Sequence, residues 1–468
     1  MTKLFKDISS IFTRHKAWKL VLDKTSKNER GVYLTGLAGS SDSVLLTSLF
    51  TKEKRYILEV CESEAEAERT YDDVVKLIGE EQVVLVGSGH KDSAIKQALY
   101  KHHTDTDIHA QILEALERIS TSTEPLLIIT TAETFALPIP TKEQVAKNLL
   151  TVHRGEDIDF QTFIGWLRAS HFDEKKFVEV CGDFAIRGGI VDVFPYTETA
   201  PFRIEFMGDT VESIREFDSV SQRSILHREE LHLVADILQE DSIEKLSLMT
   251  DHIPEGAMYV VSQPEAVLKQ FEELQAEKAI AFINDNVHFL LSQFPPPNSA
   301  VIDFETKKQP SFNSNLKFIK EYLHGLVHDE WQMYILAESR DLLDRLEDLT
   351  SNDEEIHSAI ESDISISNDE ESVPEKKSSI KYEIPALSSG FIFSDEYKIA
   401  VLCEHELFGR RRGVGASRRK KSARTKGISL RELRSLKRGD LLVHEDKGIG
   451  KFMGLEAIEV RGAMQEVV

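Results

Sequence analysis

The first third of the chain alternates short apolar runs with longer amphipathic stretches. Four β-branched runs predict strands, at residues 31–36, 55–60, 82–86 and 125–130. Two longer stretches predict helices, at residues 63–78 and 108–119. Because strands that alternate with helices form parallel sheets covered by those helices, the pattern predicts an α/β domain over residues 1–148.

The pattern changes over residues 149–209 to short alternating segments with turn residues between them. Phe177–Cys181, Ile190–Phe194 and Arg203–Phe206 have strand character, and glycine or proline separates them. We therefore expect a small α+β domain inserted into the α/β domain. The α/β domain then resumes over residues 210–300.

The remaining residues predict a small α/β domain at 301–408, interrupted by an acidic segment at 351–377. That segment carries nine acidic side chains and two lysines, so we expect it to be a mobile loop. A basic linker at 409–436 and a β-rich unit at 437–468 follow. Because about 30 residues rarely close a barrel, we expect this last unit to be the incomplete start of one. The fold class predicted for the whole chain is multidomain α/β.

Charge is distributed unevenly along the 468 residues. Fifty-seven basic and 80 acidic side chains give a formal net charge of −23, which repels phosphates and anionic lipid unless a local basic patch intervenes. The linker is such a patch, with cations at Arg410, Arg411, Arg412, Arg418, Arg419, Lys420, Lys421, Arg424 and Lys426. It lacks interleaved aromatic residues, and specific nucleic-acid binding, weak or nonspecific DNA contact and a solvated linker all stay open.

Other features of the sequence exclude several classes of protein. No run approaches the ~20 apolar residues that span a bilayer, so we expect a cytoplasmic protein without membrane contact, and a monomer. Cys61, Cys181 and Cys403 are far apart, which predicts buried apolar residues instead of a disulfide or a metal site. We expect no metal ion and find no pattern typical of catalytic residues.

A glycine loop follows the first predicted strand, where a phosphate-binding loop would lie. Its length matches the G-x-x-x-x-G-K-[ST] pattern, but the chain has Ser41 at the second glycine and Asp42 at the lysine. An anion in place of that cation disfavours a triphosphate. We therefore interpret the loop as a degenerate, non-binding one, formed by Gly36, Gly39, Ser41, Asp42 and Ser43.

A second stretch favours protein recognition. Arg187 precedes two glycines that permit a tight turn, which would hold its guanidinium at a defined place beside an exposed sheet. Arg203 and the aromatic residues Phe184 and Phe194 lie on neighbouring strands. The alternative is that the arginines are solvated strand residues and the aromatic residues are core.

Several segments of the sequence resemble those of a known protein family. Residues 184–195, 202–206 and 211–218 resemble the module shared by the excision-repair protein UvrB and bacterial transcription-repair coupling factors (Mfd). Residues 404–411, 428–433 and 439–450 resemble the junction into the RNA-polymerase-interacting domain of the coupling factors. The resemblance implies a UvrB-like α/β domain split by an inserted UvrA-binding domain, and a degenerate phosphate loop.

The resemblance also implies which residues bind a partner. Arg187, Arg203, Phe184 and Phe194 fall where UvrB-type modules dock UvrA, whereas Ala185 stands where the UvrB pattern has an arginine. The implied function is a regulatory and UvrA-recruiting region that links stalled RNA polymerase to nucleotide excision repair. Family members use ATP and Mg²⁺ in a translocase, whose motifs we do not find in this chain, so we expect no cofactor and no enzyme activity here. Alternatives are an ATP-dependent helicase fragment and a nonspecific DNA-binding protein.

Overall fold

The computed structural model describes residues 3–87, 106–198, 200–219, 221–236, 246–312, 315–344, 379–393, 396–408, 441–444, 448–451, 454, 456–460 and 463–467. The chain divides into two compact units, one of residues 1–149 and 236–416 and one of residues 150–235 and 417–468. The expected multidomain α/β character is confirmed by several parallel and mixed sheets. The acidic segment 351–377 and the basic cations 410–426 lie outside the described residues.

The first unit contains a seven-stranded parallel sheet. Its strands are, in spatial order, Val301–Asp303, Val32–Thr35, Phe289–Leu291, Met258–Ser262, Ile57–Cys61, Leu127–Thr131 and Val83–Val86. All residues of the central strand Ile57–Cys61 and of its neighbour Leu127–Thr131 are buried. Burial along a whole strand is typical of parallel sheets covered on both faces, and the four strands predicted in the first third of the chain are confirmed.

Helices connect these strands and cover the sheet. They comprise Lys3–Phe12, Lys16–Ser26, Ser41–Glu53, Glu64–Ile78, Thr106–Thr121, Ala132–Ala136, Lys142–Lys147, Pro264–Glu273 and Glu277–Asn286, with 3-10 turns at Glu80–Gln82 and Met249–His252. Ser63 begins Glu64–Ile78 by accepting a hydrogen bond from the Glu66 amide, and an apolar stripe with Ala67, Val74 and Leu77 packs inward. A short antiparallel pair joins Ile139–Pro140 to Leu246–Ser247.

The first unit also contains a mixed five-stranded sheet. Its spatial order is Lys307–Lys308, Phe391–Ile392, Ile399–Cys403, Gln332–Leu336 and Ser379–Glu383, with helices at Leu316–His328 and Glu404–Leu407. Residues of both sheets share one apolar core, in which Tyr334 and Phe391 pack with side chains of the first sheet. The expected boundary at residue 300 was wrong, because Val301–Asp303 pairs with Val32–Thr35 in the seven-stranded sheet.

The second unit is built on residues 150–235, which we call the insert. Its six-stranded sheet has the order Ser224–Arg228, Thr210–Phe217, Phe202–Met207, Ile190–Val193, Asp183–Arg187 and Asp173–Glu174. Helix Phe160–Ala169 contributes Phe163, Ile164 and Leu167 to the insert core. Strand Leu149–His153 pairs with Glu230–Val234, and two hairpins, Leu441–His444 with Gly448–Lys451 and Glu456–Val460 with Ala463–Val467, lie near the C-terminus.

Three expectations about the insert were wrong. It continues beyond residue 209, because Thr210–Phe217 pairs antiparallel with Phe202–Met207 in the same sheet. Residues 177–181 form a loop instead of the predicted strand. Cys181, expected to be buried, is only half-buried, whereas Cys61 and Cys403 are buried as expected.

Candidate protein-docking face and the glycine loop

One face of the insert sheet is polar, and the opposite face packs against helix Phe160–Ala169. Directly paired residues of antiparallel strands project to the same side of a sheet. Asp192 pairs with both Ala185 and Arg203, and Arg203 pairs in turn with Arg215. Because side chains alternate along each strand, Arg187 and Glu205 lie on this side as well. We call this side of the sheet the docking face.

A buried carboxylate organises the docking face. Asp192 is 1% exposed and accepts two hydrogen bonds from Arg203, from Nε at 2.6 Å and from Nη2 at 2.9 Å. Arg203 also donates to Gln222 Oε1 at 3.1 Å, and its guanidinium carbon lies 4.6 Å from the ring centroid of Phe217. The hydrogen bond with Asp192 raises the pKa of Arg203, although burial opposes that rise. Arg203 is therefore held rigidly, with most of its donors in use.

Arg187 differs from Arg203 because its donors are open to solvent. Its side chain is 39% exposed, and its one ionic contact among the described residues joins Nη2 to Asp192 Oδ2 at 3.5 Å. Gly188 adopts a φ of +64° in the turn that follows, and a Cβ on Gly189 would lie 2.8 Å from the Phe206 carbonyl oxygen. The two glycines thus permit the expected tight turn, which fixes Arg187 at the end of its strand.

The aromatic residues assigned to the docking face lie in the interior of the insert. Phe184 is fully buried in the main core with helix Phe160–Ala169. Phe194 is buried in a small cluster with Val178 and Ala185. Burial of both rings favours the alternative that Phe184 and Phe194 are core residues and leaves neither ring a surface for direct contact with a partner.

Other apolar side chains are exposed near Arg187, and sequence reasoning missed them. Met207 is 70% exposed, two positions beyond Glu205 and therefore on the docking face, and Phe177 is 48% exposed. Phe177 contacts Arg187 from the loop before the first long strand, with 5.1 Å between the ring centroid and the guanidinium carbon. The sequence did contain a signal for Met207. Continuing the alternation of residues 202–206 by one position places Met207 on the polar face of the sheet.

The glycine loop leads from strand Val32–Thr35 into helix Ser41–Glu53, as the sequence predicted. Gly36 and Gly39 adopt φ values of +64° and +58°. Asp42 lies in the first helical turn and accepts two hydrogen bonds from Arg69, at 3.2 Å from Nη1 and 2.5 Å from Nη2. The place of the missing lysine is thus taken by an internal ion pair.

Arg69 is held by several carboxylates around the loop. It donates to Glu66 at 2.7 Å, and its Nη1 lies 3.6 Å from Asp73, whose side chain is fully buried. Burial acts to lower the pKa of Arg69, but the carboxylates of Asp42 and Glu66 raise it well above its ordinary value. The guanidinium is therefore permanently charged and compensated from inside the protein.

Backbone groups of the loop are also taken up by the protein itself. The Ala38 amide donates to Thr306 Oγ1 at 2.8 Å, and the Ser40 amide donates to the Ser389 carbonyl at 3.2 Å. A Cβ on Gly39 would collide with the carbonyl of Gly390. A phosphate cradle needs free amides around an open space, and here the chain itself fills both. Ser41 and Ser43 are buried as well.

The described residues lack two further kinds of feature. Among them, no group of three or more His, Cys, Asp or Glu side chains could hold a metal ion. No helix in the described ranges is long and apolar enough to cross a membrane.

Comparison with known proteins agrees with the expected resemblance. The family model described as the UvrB interaction domain matches residues 150–237, which coincide with the insert. The model described as the CarD-like/TRCF RID domain matches residues 436–468. The match to 150–237 supports the extended boundary of the insert over the expected end at residue 209.

Curated relatives extend the similarity along the chain. The transcription-repair-coupling factor of Bacillus subtilis is 20% identical and covers 97% of this chain. The proteins of that name from Staphylococcus epidermidis and Staphylococcus aureus are 21% and 22% identical, and they cover 92% and 66% of this chain. This chain covers 44%, 42% and 33% of those three relatives, less than half of each. The resemblance to transcription-repair coupling factors is thereby confirmed.

Proposed function

We propose that this chain is the UvrA-recruiting and regulatory region of a transcription-repair coupling factor, which links stalled RNA polymerase to nucleotide excision repair. The observation that carries the proposal is the docking face, where Arg187 projects beside the rigid pair of Asp192 and Arg203. This face lies within the residues that match the UvrB interaction domain. In UvrB-like modules, by resemblance, the corresponding surface docks UvrA.

The chemistry of the face suits recognition of a protein. Arginine anchors on a rigid scaffold lose little conformational freedom on binding, and their planar donors match carboxylates. Arg187 is the exposed anchor, and the ion pair beneath it fixes the strand from which it projects. Phe184 and Phe194 support this sheet from the interior, so their contribution to docking is indirect.

We assign contact with RNA polymerase to residues 436–468, on the match to the CarD-like/TRCF RID model. We assign no ATP hydrolysis to this chain. The glycine loop, which would be needed for the helicase alternative, has Asp42 bound to Arg69 and its amides bound to other parts of the chain. Contact of the basic linker with DNA stays a prediction, for which titration of DNA at two salt concentrations is the measurement.

A pull-down of UvrA tests the proposal. We expect the 468-residue chain to retain UvrA and the Arg187→Ala variant to retain much less. Arg168→Ala is the matched control, because Arg168 is also exposed but lies on the helix that packs against the other face of the sheet. Equal retention of UvrA by all three proteins, or none by the wild type, would remove the docking assignment.

A further inference from the structure

We infer that Phe177 is a further binding residue of the docking face, and that Phe177 and Arg187 together recognise a partner carboxylate set beside an apolar side chain. This inference rests on the proposed function, since the partner is UvrA. Nothing in the sequence singled out Phe177, because residues 177–181 were predicted only to form a strand. The structure instead places the ring of Phe177 on the surface, against the exposed arginine.

The loop that carries Phe177 is fixed at both ends. The Lys175 amide donates to the Phe184 carbonyl at 2.8 Å. The amides of Glu179 and Val180 both donate to Asp183 Oδ2 at 3.1 Å. Exposure of the Phe177 ring is therefore a property of an ordered loop.

Burial of the next residue keeps the ring outside. Val178 packs with Ala185 and Phe194 on the docking side of the sheet. Ala185, which stands where the UvrB pattern has an arginine, is consequently covered and cannot reach a partner. The same segment that covers Ala185 also presents Phe177. This end of the face therefore offers an aromatic ring instead of the arginine that the UvrB pattern has at the position of Ala185.

Arg187 and Phe177 are complementary in the way they can contact a partner. A guanidinium that lies over a ring uses its π surface for that contact, and its planar N–H donors stay available for a carboxylate. Arg203 already supplies the two hydrogen bonds to Asp192, so Arg187 is not needed to neutralise that carboxylate. Lys176 Nζ lies 6.0 Å from the ring centroid of Phe177 and adds positive charge.

These features define the chemistry of the partner surface. The ring offers a rigid apolar area for a partner side chain, and the adjacent cations of Lys176 and Arg187 favour an acidic group. Aromatic and arginine side chains in contact are the residue types that dominate binding free energy at interfaces. The pair therefore fits a carboxylate with an apolar neighbour better than an entirely apolar patch.

Affinity measurements on the full chain test this inference. Phe177→Ala should weaken binding of purified UvrA about ten-fold, and Phe177→Leu should weaken it less, because leucine keeps apolar area but loses the π face. Ile225→Ala is the matched control, since Ile225 is an exposed apolar residue on the edge strand Ser224–Arg228 at the far side of the sheet. The affinity of Ile225→Ala for UvrA should be within two-fold of that of the wild type. Thermal melting verifies that each variant is folded.

A double-mutant cycle separates cooperation from independent contacts. If the two residues act as a unit, Phe177→Ala in the Arg187→Ala background should weaken binding less than three-fold. Binding by Phe177→Ala within two-fold of the wild type, while Arg187→Ala loses affinity, would overturn this inference and leave the proposed function standing. Unchanged binding in both variants, or no binding by the wild type, would instead overturn the proposed function.

Discussion

Replacement of Arg203 with alanine should destabilise the insert by about 3 kcal/mol. Asp192 is 1% exposed and takes both of its close hydrogen bonds from Arg203. Removal of one partner of a buried ion pair typically costs about 3–5 kcal/mol, because the remaining charge is left without compensation. Arg187 still lies 3.5 Å from Asp192 and can supply part of that compensation, so we expect the lower end of the range.

Tryptophan fluorescence can follow this loss within the full chain. Trp166 lies on the insert helix, and replacement of Trp18 and Trp331 with phenylalanine leaves it as the only tryptophan of the chain. Urea unfolding then gives the stability of the insert. With an m value of roughly 1–1.5 kcal/mol/M, a loss of about 3 kcal/mol lowers the midpoint by about 2–3 M.

A second substitution tests whether the uncompensated carboxylate is the cause. Addition of Asp192→Asn to Arg203→Ala should restore at least about 1 kcal/mol, because a neutral amide costs less to bury than a carboxylate. Arg168→Ala, which removes an exposed ion pair with Glu174, should stay within about 0.5 kcal/mol of the wild type. A similarly small effect of Arg203→Ala, or an additive loss in the double variant, would show that an uncompensated Asp192 carboxylate does not limit the stability of the insert.

Three further predictions concern the first unit. Burial raises the pKa of Glu59 to about 7, against the opposing hydrogen bond from Ser262, so the folded state holds a proton that the unfolded state releases. The free energy of unfolding should therefore fall by roughly 3 kcal/mol as pH rises from about 4.5 to 7. Urea unfolding at pH 5 and at pH 8 measures this fall, and Glu59→Gln should abolish it. Burial lowers the pKa of His288 to about 4, helped by Arg55 and Arg30. The contribution of His288 to the free energy of unfolding is complete above about pH 6.5 and should be lost as pH falls towards 4. Because Glu59→Gln lacks the opposing effect of Glu59, acid should destabilise this variant more steeply than the wild type. Equal slopes of stability against pH in the two proteins would contradict this. Asp42→Lys should place a cation against Arg69 and lower the melting temperature, without producing ATP binding. Binding of a fluorescent ATP analogue at submillimolar concentration would contradict the interpretation that the chain itself fills the glycine loop.

The parallel sheet of the first unit was predictable because its strands are buried on both faces. Runs such as Ile57–Cys61, which is apolar except for the buried Glu59, are separated by amphipathic helices, so the pattern of apolar positions identifies both. The end of the insert was harder to predict. Thr210–Phe217 has strand character in either domain, and only its pairing with Phe202–Met207 assigns it to the insert. Its buried residues Val211, Ile214 and Phe217 are three apart instead of two, because irregular register interrupts its pairing with both neighbouring strands, so regular alternation gave no signal.

The arginines of the docking face were predictable, but its aromatic residues were not. The glycines after Arg187 indicated a tight turn, and the structure has that turn. Strand periodicity predicts which residues share a face of the sheet. It does not predict burial where a loop covers part of a face that is otherwise exposed. Here Val178 covers Ala185, so Phe194 is buried although its position on a strand suggested a place on the docking face, and the ring of Phe177 is exposed.

Titration calorimetry of UvrA with the wild-type full chain and with Arg187→Ala measures whether this face of the insert recruits UvrA. Arg187 is exposed and Asp192 keeps its bonds to Arg203, so this variant should fold normally. We expect tight binding by the wild type, at least ten-fold weaker binding by Arg187→Ala, and unchanged binding by Arg168→Ala. Equal affinities for the wild type and Arg187→Ala would contradict the claim that this face recruits UvrA.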